Sequence, residues 1–262
     1  SFDELAEHLE GDSKIFVVAI TFDDGYKDNM VHALPILEEF KLPVIIYITT
    51  RFPEGDTWMW WYEIWDYLKK IEFIDLIDGN NHFKRETKTL KQKFNCFTEL
   101  IDRIMKLSGK EQVAMVNNLT KSHDRKQYPH LCLSWDEIKK LDRHPLMTIG
   151  SHTHSHSNLK QLTEEEVSSE MSRSKAILKK ELGHDIEHFA YPFGTVNEAD
   201  TREFELAYRC GYRTALTTRP EIIRSPSPLN AIPRLGVPPY LTLQGFKGKL
   251  SGWGHLVSKF QN

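Results

Sequence analysis

The chain has 262 residues, 40% of them hydrophobic, a length that supports one large domain or two small ones around a sizeable core. Its 34 Lys and Arg against 37 Asp and Glu leave a formal net charge of −3, so no basic excess exists to neutralise a nucleic-acid backbone. The longest apolar runs fall far short of the roughly 20 residues that cross a bilayer, and no cationic start followed by an apolar stretch opens the chain.

Taken in chain order, Phe2, Leu5 and Leu9 fall on one helical face. Ser1 therefore reads as entering a helix already under way, as though an upstream segment had been trimmed. Any targeting signal would go with it, and the compartment stays open between cytoplasm and a bacterial-type envelope. Residues 15–22 read as a first strand and 43–50 as a second. Between them a helix over 28–40 carries Met30, Leu34 and Leu37 on one face, with Pro35 as a local irregularity. From about 52 to 129 a long, mostly helical insertion interrupts the pattern, and its charged stretch, 84–93, reads as a solvated helix face.

Strands are then expected at 146–150, 188–191, 213–217 and 231–236. Helices are expected at 163–182 and about 199–210. In the first of these Val167, Met171, Ser174, Leu178 and Leu182 form a stripe, Thr163 and Glu166 a capping box, and Gly183 a stop. Such alternation predicts an α/β fold with a parallel sheet or barrel. Cys96, Cys132 and Cys210 fit neither a paired disulfide framework nor a metal knuckle and read as buried small apolar residues.

Three motifs stand at predicted strand ends, where ligands bind in parallel strand-helix folds. The first is Thr21-Phe22-Asp23-Asp24-Gly25-Tyr26, which fits an Asp-Gly turn as well as a pair of site acids. The second runs from Gly150 to Leu159 and holds His152, His154 and His156. Three imidazoles in five residues are hard to accommodate as packing, because each one buried needs a partner. Because they stand four positions apart, one helical turn would aim His152 and His156 to the same side and send His154 elsewhere. One Asp and two His make a ligand set with open positions for water and substrate, while the second Asp is left over as a base. A metal lowers the pKa of its water from 15.7 toward about 7, so the set points to metal-assisted hydrolysis of an acyl bond. The third motif, Phe189-Ala190-Tyr191-Pro192-Phe193-Gly194, taken on its own reads first as a Pro-Gly turn and only second as part of a site.

In this order the motifs resemble the polysaccharide deacetylase family, carbohydrate esterase family 4, which shares the NodB homology domain. The match covers about 15–237, with Tyr191–Gly194 in the Tyr-Pro-Phe-Gly form of the third motif. The resemblance implies a distorted parallel (β/α) barrel, with 1–262 as one catalytic domain carrying the insertion. It implies removal of an N-acetyl, or sometimes O-acetyl, group from an acetylated glycan or amino-sugar precursor. Asp23 would be the base, Asp24, His152 and His156 the ligands of a divalent metal, most often Zn2+, and the Phe193 N–H an oxyanion donor beside Tyr191.

The chain departs from the family at two points. The Arg that many members carry two residues before the motif-three Pro is Ala190 here, and the late Leu-x-His motif that supplies a general acid has no counterpart. Arg234 is expected to reach across to Asp23 in place of the missing Arg, the plain alternative being an exposed Arg beside a turn. Neither His154 nor His255 can be named as the acid. Trp58, Trp60, Trp61 and Trp65 cluster in the insertion, mostly as core by their helical spacing, with Trp60 the candidate sugar platform. These departures keep two alternatives in view, an amidohydrolase acting on a non-sugar amide and a catalytically silent carbohydrate-binding protein.

Overall fold

The computed structural model describes residues 2–10, 17–78, 81–122, 124–221, 223, 227–238 and 241–251. Helix α1 (Phe2–Glu10) precedes strand β1 (Ile20–Phe22), helix α2 (Leu34–Phe40) and strand β2 (Val44–Ile48). A π-helical turn, Asn29–Ala33, leads straight into α2, where Pro35 occupies the first turn and has no N–H to give to the regular ladder. Next come α3 (Trp60–Lys70), β3 (Phe73–Asp78), β4 (Asn81–Glu86), α4 (Leu90–Ile104) and α5 (Gly109–Thr120). The chain continues through α6 (Trp135–Asp142), β5 (Met147–Ser151), α7 (Glu164–Leu182), β6 (His188–Ala190), α8 (Thr201–Arg209), β7 (Thr214–Leu216) and α9 (Leu243–Leu250). Two compact units result: Ser1–Glu54 with Leu133–Asn262, and Gly55–Cys132.

In the first unit the strands run in the order β1-β2-β5-β6-β7, all parallel, as a curled half-barrel flanked by helices. Both faces of such a sheet are covered, which is why β2 reads Val-Ile-Ile-Tyr-Ile and is buried throughout. Alternation divides it. Val44, Ile46 and Ile48 face a core with Leu37, Ile138, Val167, Met171 and Leu178 from the surrounding helices. Ile45 and Tyr47 join Ala190, Leu216 and Ile232 on the opposite side. Tyr47 pairs in register with Gly150, where a β-carbon would stand 2.5 Å from the Tyr47 ring, so glycine is what lets that ring lie across the neighbouring strand. Helix α7 has the caps its sequence specifies, a Thr163–Glu166 box at one end and Gly183 at φ 84° at the other, and buries Val167, Met171, Ser174 and Leu178.

Of the strands the apolar runs imply, one is shorter and one is absent. Residues 15 and 16 lie outside the described residues, Val18 is solvent-exposed, and pairing begins only at Ile20. The run 231–236 forms no strand. Ile232 alone bridges Leu216, and Pro233, lacking an N–H, ends the ladder at once.

The second unit holds α3, α4 and α5, and it corrects the expectation of a charged helix face at 84–93. Here β3 and β4 pair antiparallel from Phe73↔Glu86 to Asp78↔Asn81, so residues 84–86 belong to a strand and α4 starts only after the Thr89 cap. Ile74 and Leu76 are buried while Phe73, Asp75 and Ile77 are exposed, an alternation of period two that belongs to a strand with one covered face. Ile64, Leu68, Ile74, Phe83, Leu100, Ile104 and Val116 are buried in this unit. Cys96 and Cys132 are buried and Cys210 half-buried, all as free thiols. Among the described residues no helix is long and apolar enough to cross a membrane.

Candidate metal centre

The carboxyl ends of β1, β5 and β6 carry the three motifs. Asp24 leaves β1 with φ 71° and Gly25 follows at 78°, a reversal closed by the Gly25 N–H donating to the Asp23 carbonyl at 2.9 Å. Glycine suits this turn doubly, because a β-carbon there would also meet Ile48 Cδ1 at 2.9 Å. The reversal separates the two carboxylates: Asp24 approaches His152 and His156, and Asp23 approaches Arg234.

Asp24 Oδ1 lies 3.0 Å from His156 Nε2 and 3.5 Å from His152 Nε2, and one donor atom of each residue falls within 4.8 Å of the others. Oδ1 is buried with no hydrogen-bond donor aimed at it. A buried carboxylate oxygen left so is costly, whereas three lone pairs converging on one point suit a shared cation. The tautomer of His152 is fixed, since Nδ1 is 2.7 Å from the Ala190 carbonyl, which can only accept. The proton therefore sits on Nδ1 and Nε2 offers its lone pair, the usual outer-shell support of a metal-ligating histidine. Burial lowers the His152 pKa despite the two aspartates, favouring the neutral ring. Burial works to raise the Asp24 pKa, but His156 and then His152 hold it below the ordinary carboxylate value. The residues present thus fit a divalent cation.

The two histidines do not share a helical turn. Residues 152–158 are irregular, with Thr153 at φ 64° and His156 at φ 57°, and these reversals bring the two rings to a centroid separation of 5.0 Å. The end of β2 collects the loop's carbonyls. Thr49 Oγ1 donates to His152 O at 3.2 Å, the Thr50 and Arg51 N–H groups to Thr153 O and His154 O, and Arg51 Nη1 to Ser155 O. His154 turns away from the ligand set, its Nδ1 at 3.0 Å from Thr50 Oγ1.

Arg234 grips Asp23 with two parallel bonds, Nη1 to Oδ1 and Nη2 to Oδ2, each 2.7 Å. Nη1 also donates to Thr21 Oγ1 at 3.1 Å, and Nε to the Thr217 carbonyl at 2.9 Å. With its side chain 13% exposed, this is not a solvated arginine beside a turn. Burial pushes the Asp23 pKa up, and the Arg234 charge followed by His152 more than reverses it, so the carboxyl stays ionised below its usual range. Thr21 and Thr217 contribute through space, and no sequence motif singles them out in these roles.

Phe193, at φ 61°, packs its ring edge-to-face on His156 at 4.6 Å. Two expected contacts are corrected. Tyr191 is fully buried, its hydroxyl donating to Asn230 O at 2.8 Å and its N–H to Leu216 O, so it braces the turn and presents nothing to a substrate. Trp60 is 5% exposed, its ring against Trp61, and offers no free face to a sugar. His255 lies outside the described residues.

Fold and ligand set together define a distorted parallel (β/α) barrel of NodB type with a candidate divalent-metal centre at its strand ends. The polysaccharide deacetylase family model matches residues 10–82 and 84–215, and the chain belongs to that family. No curated protein sequence matches it. Among solved structures it is similar to the Streptococcus pyogenes deacetylase PplD in complex with acetate, at 19% identity and TM-score 0.59, covering 95% of this chain and 78% of that one. A de-N-acetylase from Aggregatibacter actinomycetemcomitans aligns at 13% identity and TM-score 0.56, covering 95% and 81%. IcaB from Ammonifex degensii aligns at 18% and 0.55, covering 98% and 78%. At these identities the likeness is one of fold.

Proposed function

We propose that the chain is a divalent-metal-dependent deacetylase that hydrolyses N-acetyl, or O-acetyl, groups of an acetylated glycan or amino-sugar. The observation that carries this reading is the convergence of Asp24 Oδ1 with the Nε2 atoms of His152 and His156 beside a second carboxylate held by Arg234. Membership of the polysaccharide deacetylase family supports the substrate class. A cation on Asp24, His152 and His156, zinc being the expected one, supplies Lewis acidity toward water and the acetyl carbonyl.

The rest falls to the chain's own groups. Asp23 accepts the proton of the attacking water, since each carboxylate oxygen keeps a second lone-pair direction beyond the one Arg234 occupies. Arg234 fixes the carboxylate plane and keeps it ionised in the resting protein. The Phe193 N–H, on a turn with φ 61°, is the proposed donor to the developing oxyanion, a contact worth about 3 kcal/mol in other hydrolases. The Arg234–Asp23 pair favours a catalytic protein over a silent carbohydrate binder, because it supplies the partner that Ala190 lacks. Elemental analysis with acetate release on a panel of acetylated sugars and non-sugar amides tests the reading. Metal uptake with acetate released from sugars supports it, and a protein without metal or without release overturns it.

A further inference from the structure

We propose that Glu170, on α7, is a positioning residue of the metal centre, holding the loop that brings His156 to ligand distance; the inference rests on the metal-centre reading above. Thr153 and His156 are both non-glycine residues at positive φ within four positions, a conformation that persists only where the surroundings enforce it. The end of β2 enforces half of it by taking the loop's carbonyls. The donors must be held separately. The His152 N–H goes to Ile48 O and that of His156 to Thr153 Oγ1, while those of His154 and Ser155 both go to Glu170 Oε2, at 3.1 and 2.7 Å. Ser155 Oγ donates to Glu170 Oε1 at 2.8 Å, so the carboxylate accepts three bonds from the two residues between the turns.

Bonds to an ionised acceptor are about twice as strong as neutral ones, and these are made by a half-buried group. Helix α7 is itself tied to the start of the loop, where Ser174 Oγ meets Ser151 Oγ at 2.8 Å, immediately before His152. One helix thus fixes the strand end that carries the first imidazole and the turn that carries the second. The hydrogen bonds Glu170 accepts come from the His154 and Ser155 N–H groups and Ser155 Oγ, not from the ligand residues Asp24, His152 and His156.

The test is zinc affinity of the metal-free full chain by chelator competition, with thermal unfolding of the metal-free proteins measured alongside. Glu170→Ala is expected to weaken zinc binding about 10- to 100-fold, as loss of outer-shell support does elsewhere, with Glu170→Gln, which keeps one acceptor oxygen, in between. Glu165→Ala, the loss of an exposed acid from the same helix, is the control expected to leave affinity unchanged. A merely structural role would lower the unfolding temperature without moving the zinc Kd well below it. Wild-type uptake with unchanged affinity in Glu170→Gln and in folded Glu170→Ala overturns this inference alone. A wild-type chain that takes up no zinc overturns the metal-centre reading and this inference with it.

Discussion

The strand-end loops and the insertion solve opposite problems. Around the candidate centre Asp24, Thr153, His156 and Phe193 all hold positive φ without being glycine, whereas in the insertion the one such residue among those described is Lys121, at the cap of α5. The insertion's buried carboxylate, Glu63, accepts from Trp58 Nε1 at 2.8 Å and serves packing, while Asp24 faces two imidazoles and Asp23 a guanidinium. Backbone strain is concentrated where chemistry is expected, and ordinary caps and apolar packing are left to the rest. Substitutions should therefore separate, those at the strand ends costing activity and those in the insertion costing stability.

The largest effect should come from the two adjacent acids, and it sharpens the comparison because their losses differ in kind. Asp24→Asn should remove metal and acetate release together. Asp23→Asn should keep the metal and lower kcat by about 10²–10⁴-fold, the usual contribution of a general base, as read by metal content and turnover on the same sample. Next is Arg234→Met, which strips a partly buried carboxylate of its partner and should cost about 3 kcal/mol in denaturant unfolding. Because Arg234 holds the Asp23 pKa down, its loss should also move the acid limb of the kcat/KM profile to higher pH. An unmoved limb would separate Arg234 from the chemistry.

In the insertion, Leu100→Ala at a fully buried site should cost about 2–5 kcal/mol while acetate release per folded molecule at 25 °C stays within about twofold. A parallel loss of turnover would break the division between the two regions. The smallest effect is expected at Asp66. Burial tends to raise its pKa, but hydrogen bonds from Lys126, Lys69 and Tyr128 override this and hold it at about 2 against an ordinary 3.8. Its stabilisation is then complete above the ordinary value and is lost as pH falls toward about 2. Asp66→Asn should remove up to about 1 kcal/mol at neutral pH and flatten that acid dependence in denaturant titrations.

What the sequence reveals is what is local. The Thr163–Glu166 box, the α7 stripe and the apolar β2 run each declare themselves within a few residues, and the metal set stands out because its residue types are rare in cores. The path of the His loop does not, because its left-handed turns depend on Thr49, Thr50, Arg51 and Glu170, which are distant in sequence. Pro233 is itself a cue that stops the last strand, and Asp-Gly-Asn at 78–80 is a cue for a hairpin. Arg234 was within reach of inference only because Ala190 left a charge unanswered.

The Tyr47–Gly150 pair makes two positions inherit as one. Any side chain at 150 collides with the phenol ring opposite, and any smaller residue at 47 leaves a hole beside Ala190, whose carbonyl orients His152. A lineage could exchange this pairing only through a single-mutant intermediate worse than either end, so the two positions are expected to drift together or not at all.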